Sequence, residues 1–210
     1  MSYLREYPDA TMQDFLYFTG HDEFEHILHA FRILMKGPSQ LTHGDREMIG
    51  AYCNALQGVP QPINVHTRCY RLLGGEAWKI QDLLKDPEHR CVDAKYRPLL
   101  NIVRKLTLDG SHSVCKADID ACYDAGWDGD AIYRTVVLTG GYNMMLRWVS
   151  ALGIDYTPEE VIASSDGLTQ NGYNGEGPGL NDDDYLAQVF PQYQGPGGSS
   201  GSNIKPRGID

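Results

Sequence analysis

The segment from Gly129 to Leu152 constrains the fold more than any other stretch. It gathers Ile132, Val136, Val137, Leu138, Met144, Met145, Leu146, Val149 and Leu152. A stretch of that length and apolar density reads as a buried helix at the centre of a core, with Gly140-Gly141 as a bend or close-packing point.

The rest of the chain supplies helices to pack around it. From Asp22 to Lys36, Phe24, Ile27, Leu28, Phe31, Leu34 and Met35 recur at helical spacing, and Gly37-Pro38 stops the run. Thr42 followed by Asp45 reads as a capped helix start, and that helix runs to about Gln57. Gly58 suits the left-handed residue after a helix end, and Pro60 and Pro62 constrain the turn before a helix from about Ile63 to Leu73. Three- and four-residue apolar steps predict further helices over Glu76 to Lys85, Ala94 to Leu106 and Lys116 to Ala125. Strand signals are nearly absent. The fold class expected is all-α, a compact helical bundle with short turns.

At 210 residues the chain suits one core. Residues 1–21 read as an N-terminal arm and 22–162 as the helical domain. Composition then shifts to Gly, Asn and Asp, so 163–210 read as an extended or disordered tail. Within that tail, Tyr185 to Phe190 is apolar enough to dock on a surface, such as a neighbouring subunit's. No nucleotide fingerprint is present, because the Gly-rich runs lack a strand before and a helix after.

Charge and cysteine usage exclude several classes. With 18 basic and 28 acidic residues the formal charge is -10, and no basic patch offsets it, so nucleic acid and anionic lipid are not expected partners. No run of about 18 apolar residues exists to span a membrane. The N-terminus MSYLREYPDATMQDF carries acids where a signal peptide is basic and then apolar, which points to the cytoplasm. Cysteines at 53, 69, 91, 115 and 122 form no CxxC pair, so most are expected to be buried reduced thiols.

One motif carries chemistry. LTHGDREMIGAYCNALQGVPQPINVHT resembles the signature of the alkylhydroperoxidase D-like, or carboxymuconolactone decarboxylase, superfamily. The redox branch of that family has a Glu, eleven residues, then C-x-x-C-x-x-x-H. Counting from Glu47 puts Val59 and Pro62 at the two Cys positions and His66 at the His. The segment from Leu83 to Ile154 is similar to the family's second half, including an N-x-x-x-R-x-x-x-x-L-G pattern at Asn143, Arg147, Leu152 and Gly153. The resemblance covers roughly residues 22 to 160 and implies an all-helical subunit that assembles into trimers or hexamers.

The departures decide which chemistry the resemblance implies. In the redox branch His and Glu activate a thiolate, and neither Val59 nor Pro62 has a nucleophilic atom. The other branch works by acid and base on a small organic acid or lactone. His66 then serves as general acid/base and Glu47 as its orienting partner. The reaction expected is decarboxylation, elimination, isomerisation or ring opening. For an acidic substrate, Arg46, Arg68 and Arg147 are the candidate cations, and Asn143 joins Arg68 and Arg147 as a candidate binding residue. Arg147, inside an apolar segment, is expected to sit in a buried ion pair.

Other readings stay open. Glu47 is equally suited to a first-turn carboxylate favoured by the helix dipole. Cys69 or Cys53 would have to replace the missing thiols if a peroxidase activity survived. His26 and His29 share a helix face and, with His66 and Glu47, form a possible ligand set for zinc, copper or iron; no cofactor is otherwise indicated. The remaining alternative is a non-catalytic binding or assembly protein on the same fold.

Overall fold

The computed structural model describes residues 2–11, 22–76, 78–154 and 157–169. The apolar segment Tyr185 to Phe190 lies outside the described residues. Among the described residues every regular element is helical. They are α1 (Asp22–Lys36), α2 (His43–Leu56), α3 (Pro60–Leu72), α4 (Lys79–Lys85), α5 (Arg97–Leu108), α6 (Lys116–Asp124), α7 (Gly129–Leu152) and α8 (Pro158–Gly167). The chain divides into two compact units, Gly37–Leu146 and the two flanking stretches Met1–Lys36 with Arg147–Asp210.

The unit Gly37–Leu146 is built on the antiparallel pair α2 and α3. Thr42 caps α2 reciprocally: the Asp45 N–H donates to Thr42 Oγ1 at 3.1 Å, and the Thr42 N–H donates to Asp45 Oδ2 at 2.9 Å. Gly58 closes the helix end at φ 69°, a conformation that disfavours any side chain. The next helix starts at Pro60 rather than at Ile63. The first N–H groups of a helix have no intrahelical acceptor, so a proline at the first position loses no bond and arrives with a helical φ. Both prolines are therefore the first turn of α3 and not a turn before it.

Two other helix starts also move. Ala94–Tyr96 is a 3-10 turn and α5 begins at Arg97. An α-helix running through Ala94 would need an N–H on Pro98 to reach the Ala94 carbonyl, and proline has none. The Arg97 N–H takes that carbonyl instead. Glu76 stays outside α4, and its carboxylate pairs with Lys79 at 2.9 Å.

α7 is continuous across Gly140-Gly141. Gly140 is not a close-packing point: no atom outside its own stretch of helix lies within 4 Å of where its Cβ would stand. Within this unit α7 buries Ala131, Ile132, Leu138, Tyr142 and Leu146. Leu99, Leu100, Ile102 and Val103 of α5 and Ile49, Ala51 and Tyr52 of α2 complete the core. Asp118 ties α6 to α5 by accepting from Lys105 Nζ at 2.6 Å and Asn101 Nδ2 at 3.2 Å.

In the flanking unit, α1 spans the residues its periodicity predicts. α8 continues to Gly167, past residue 162, where composition placed the end of helical structure. Its start is well specified: Thr157 and Glu160 form a capping box, and Pro158 occupies the first helical position.

A buried polar pair braces α2. The Tyr52 hydroxyl and His89 Nε2 share a hydrogen bond of 2.8 Å, and both residues are almost wholly buried. Burial raises the Tyr52 hydroxyl to about 12. Burial, with Arg104 adding to it and Asp86 opposing it, holds the His89 imidazole below its ordinary 6.5. His89 also sits at φ 56°, where a non-glycine residue is strained. A histidine whose folded pKa is depressed stabilises fully above 6.5 and loses that contribution as pH falls. The denaturation midpoint is therefore expected to drop between about pH 7.5 and about 5.5. His89→Asn, which tolerates the backbone conformation, should show a shallower drop, and an equal drop would remove His89 as its source.

Candidate functional site

Glu47 and His66 are brought together by the α2–α3 pairing. His66 Nδ1 stands 2.7 Å from Glu47 Oε2, with 16% of the imidazole and none of the carboxylate exposed. With the carboxylate as acceptor, the imidazole donates through Nδ1–H. Nε2 is then the position that gives or takes a proton. Glu47 lies one turn beyond the helix start, where Asp45 is the first-turn acid, so its carboxylate serves His66 and not the helix end.

A third group belongs to this site and is invisible in the motif. Tyr142 of α7 packs edge-on against the His66 ring, with centroids 4.8 Å apart and planes at 79°. Gly50, one turn after Glu47, makes the room: a Cβ there would fall 2.8 Å from Tyr142 Cζ. A lone glycine inside a helical pattern was the available signal, since it often marks close approach by another group.

The other candidates are placed less closely. Asn143 is buried, and its Nδ2 donates to Thr107 Oγ1 at 3.3 Å, which anchors α7 to α5 beside Tyr142. Arg68 is half-buried on α3. Arg46 is buried and donates through Nη2 to the Gly37 carbonyl, so it braces the turn before α2. Arg147 is exposed, against the expectation of a buried pair: the apolar residues of α7 do not surround that position.

The thiols and histidines are equally specific. Cys53, Cys69 and Cys122 are buried, Cys91 is half-buried and Cys115 is exposed. Cys53 Sγ lies 3.5 Å from Thr107 Oγ1 and 3.8 Å from the Thr139 carbonyl, a packing role between α2, α5 and α7. His26 is exposed on α1, and the side chain of His29 lies outside the described residues. Among the described residues no three His, Cys, Asp or Glu side chains are grouped to hold a metal ion.

A cavity of about 270 Å³ opens elsewhere in the unit, walled by Asp45, Met48, Tyr70, Lys79 and Tyr96 among others. Its polar groups already serve one another. Lys79 binds Glu76 and the Cys91 carbonyl, and burial followed by the Asp45 carboxylate raises Tyr96 to about 12. It contains neither Glu47 nor His66.

Comparison with known proteins supports the architecture. No family model and no curated protein matches the chain. Among solved structures, the chain is similar to an uncharacterized peroxidase-related protein from Silicibacter sp. TM1040, at 25% identity and a TM-score of 0.60 over 66% of this chain and 72% of that one. It is also similar in fold to a protein from Ralstonia eutropha JMP134 described as an alkylhydroperoxidase AhpD core and an uncharacterized peroxidase-related protein. That match has 21% identity and a TM-score of 0.60, with the same coverage of both chains. The all-α architecture is thus of the alkylhydroperoxidase D-like type. No helix among the described residues is long and apolar enough to cross a membrane.

Proposed function

We propose that the chain is a non-redox, carboxymuconolactone decarboxylase-like enzyme in which His66 is the general acid/base and Glu47 its orienting partner. The observation that carries this is the 2.7 Å bond between a partly exposed imidazole and a fully buried carboxylate. A carboxylate on Nδ1 fixes the tautomer and stabilises the cation formed when Nε2 takes a proton. Tyr142 covers one side of the ring and restricts the direction from which a substrate reaches it. The substrate is a small organic molecule that loses or moves a proton next to an electron-withdrawing group. Decarboxylation, elimination, isomerisation and lactone opening all meet that description. Arg68, two residues beyond His66, is the cation nearest in sequence for an acidic group.

Valine and proline at positions 59 and 62 leave no thiolate where peroxide chemistry of this fold needs one. Cys53 and Cys69 are fully buried, which makes them poor nucleophiles for peroxide. Assembly as a trimer or hexamer in the cytoplasm belongs to the same proposal. A metal-assisted version would add His26 and His29 to His66 and Glu47, and elemental analysis of the purified protein separates the two versions.

The test is a turnover screen with unsaturated acids, β-keto acids and lactones, run beside a hydroperoxide. Activity on the organic substrates that needs His66 and survives Cys53→Ala and Cys69→Ala supports the proposal. Hydroperoxide turnover lost with either cysteine would replace it with a thiol peroxidase. Turnover of nothing in the screen would favour a binding or assembly role.

A further inference from the structure

The cavity of about 270 Å³ contains neither member of the acid–base pair, and its walls are held in place by packing around it. Tyr70 of α3 forms one wall. A Cβ at Gly75 would run into the Tyr70 ring, so a glycine there is what lets the ring stand against the chain. Tyr96 forms another wall and packs on Trp127, with ring centroids 5.3 Å apart. Trp127 is itself fixed by a 2.7 Å bond from Nε1 to the Lys95 carbonyl. Met48 and Val92 add apolar surface. The volume falls just under the range of drug-sized pockets, roughly 300–1,000 Å³, and so suits a molecule of about ten non-hydrogen atoms.

The hydrogen bonds inside this cavity leave its charge unbalanced. Asp45, Glu76 and Asp93 face a single ammonium, that of Lys79. Lys79 pairs with Glu76 at 2.9 Å, and among the described residues no ion pair includes Asp45 or Asp93. Asp45 is only 9% exposed. The Thr42 N–H and the start of α2 offset part of its charge, yet a carboxylate buried this far is costly without a counter-charge. The tyrosines report the same field. Burial and then Asp45 raise the Tyr96 hydroxyl to about 12, and burial raises Tyr70, with Lys79 opposing and Asp45 adding. Both hydroxyls stay protonated at neutral pH.

Sign, spacing and shape narrow the ligand. An anion would add to the surplus of negative charge. A bare metal ion fails on spacing, because among the described residues no three His, Cys, Asp or Glu side chains are grouped to hold one. A neutral molecule would leave Asp45 and Asp93 as they are. We propose that the cavity is a binding site for a small organic ammonium, a primary amine carried on an apolar or aromatic body. The ammonium sits with Asp45 and Asp93, whose carboxylate oxygens accept its N–H donors. Tyr70 and Tyr96 receive the body, and their ring faces also attract the cation. This site stands whether or not His66 acts as an acid and base.

The test is a titration of the full chain with phenethylamine, which is protonated at neutral pH. It is read on the Met48 methyl signal by proton–carbon NMR, assigned by its loss in Met48→Leu. Phenethyl alcohol and hydrocinnamate are controls of similar shape that carry no charge and the opposite charge. The amine should move the signal and bind about tenfold tighter than the alcohol, and hydrocinnamate should leave the signal in place. Added salt should weaken the amine alone. Asp93 is exposed, and Asp45→Asn keeps an acceptor for the Thr42 N–H, so Asp93→Asn and Asp45→Asn should both fold. Each should remove most of the amine's advantage. A Met48 signal unmoved by the amine, equal binding of the alcohol, or an advantage that survives either substitution would overturn the proposal. So would a shift of the His66 ring signals as large as that at Met48, which would place the amine at the acid–base pair instead.

Discussion

His66→Ala is expected to lower kcat on any substrate the protein turns over by about a hundredfold to ten-thousandfold, the usual contribution of a positioned general acid or base. KM should change little, because the imidazole acts on the proton in flight more than on the resting substrate. Glu47→Gln keeps the shape and an acceptor for Nδ1–H but loses the charge that stabilises the imidazolium, so kcat falls again. The two groups act as a unit, which makes their effects non-additive. The double variant should be no slower than His66→Ala by more than a small factor. Multiplicative losses would mean that Glu47 and His66 act on separate steps. His66→Gln, which leaves a polar group beside the buried carboxylate, guards against mistaking unfolding for lost chemistry.

Gly50→Leu should destabilise the protein by about 3 kcal/mol and remove activity together with stability. Two effects compete at this position. Replacing a mid-helix glycine by a better helix former is worth up to about 1 kcal/mol. Against it, even a Cβ would lie 2.8 Å from Tyr142 Cζ and 2.9 Å from Tyr142 Oη, inside van der Waals contact with a buried ring. Overpacking of this kind costs about 1–3 kcal/mol, so it wins. The displaced ring is the one packed on His66, which couples the fold to the site. Gly140→Ala is the internal control, since that helical glycine has open space around it and should gain about 1 kcal/mol. Tyr142→Leu should recover part of the Gly50→Leu loss in a double-mutant cycle. Equal responses at Gly50 and Gly140 would show that the tyrosine does not occupy this gap.

Much of this architecture is legible in the residues because local signals and packing agree. Thr42 and Asp45 announce the start of α2, Gly58 its end, and the apolar run of α7 its burial. The errors arise where one residue has two meanings. Pro60 and Pro62 read as a turn, yet proline is also at home in a first helical turn, and only the pairing of α3 with α2 decides. Thr157 and Glu160 form a local cap that a shift toward polar composition obscured.

The site divides along the same line. Glu47 and His66 are legible as a pair through the family motif that the stretch resembles, and the packing of α3 on α2 brings them to 2.7 Å. Tyr142 is not, since it comes from a helix distant in sequence and sits among apolar residues that it resembles.

The claim beneath these expectations is a hydrogen bond that holds His66 as the Nδ1–H tautomer. Proton–nitrogen NMR of the His66 ring tests it directly. The account requires a protonated Nδ1 whose proton resonates far downfield and shifts in Glu47→Gln. A ring protonated on Nε2, with a spectrum that is the same in the Glu47→Gln variant, would contradict it.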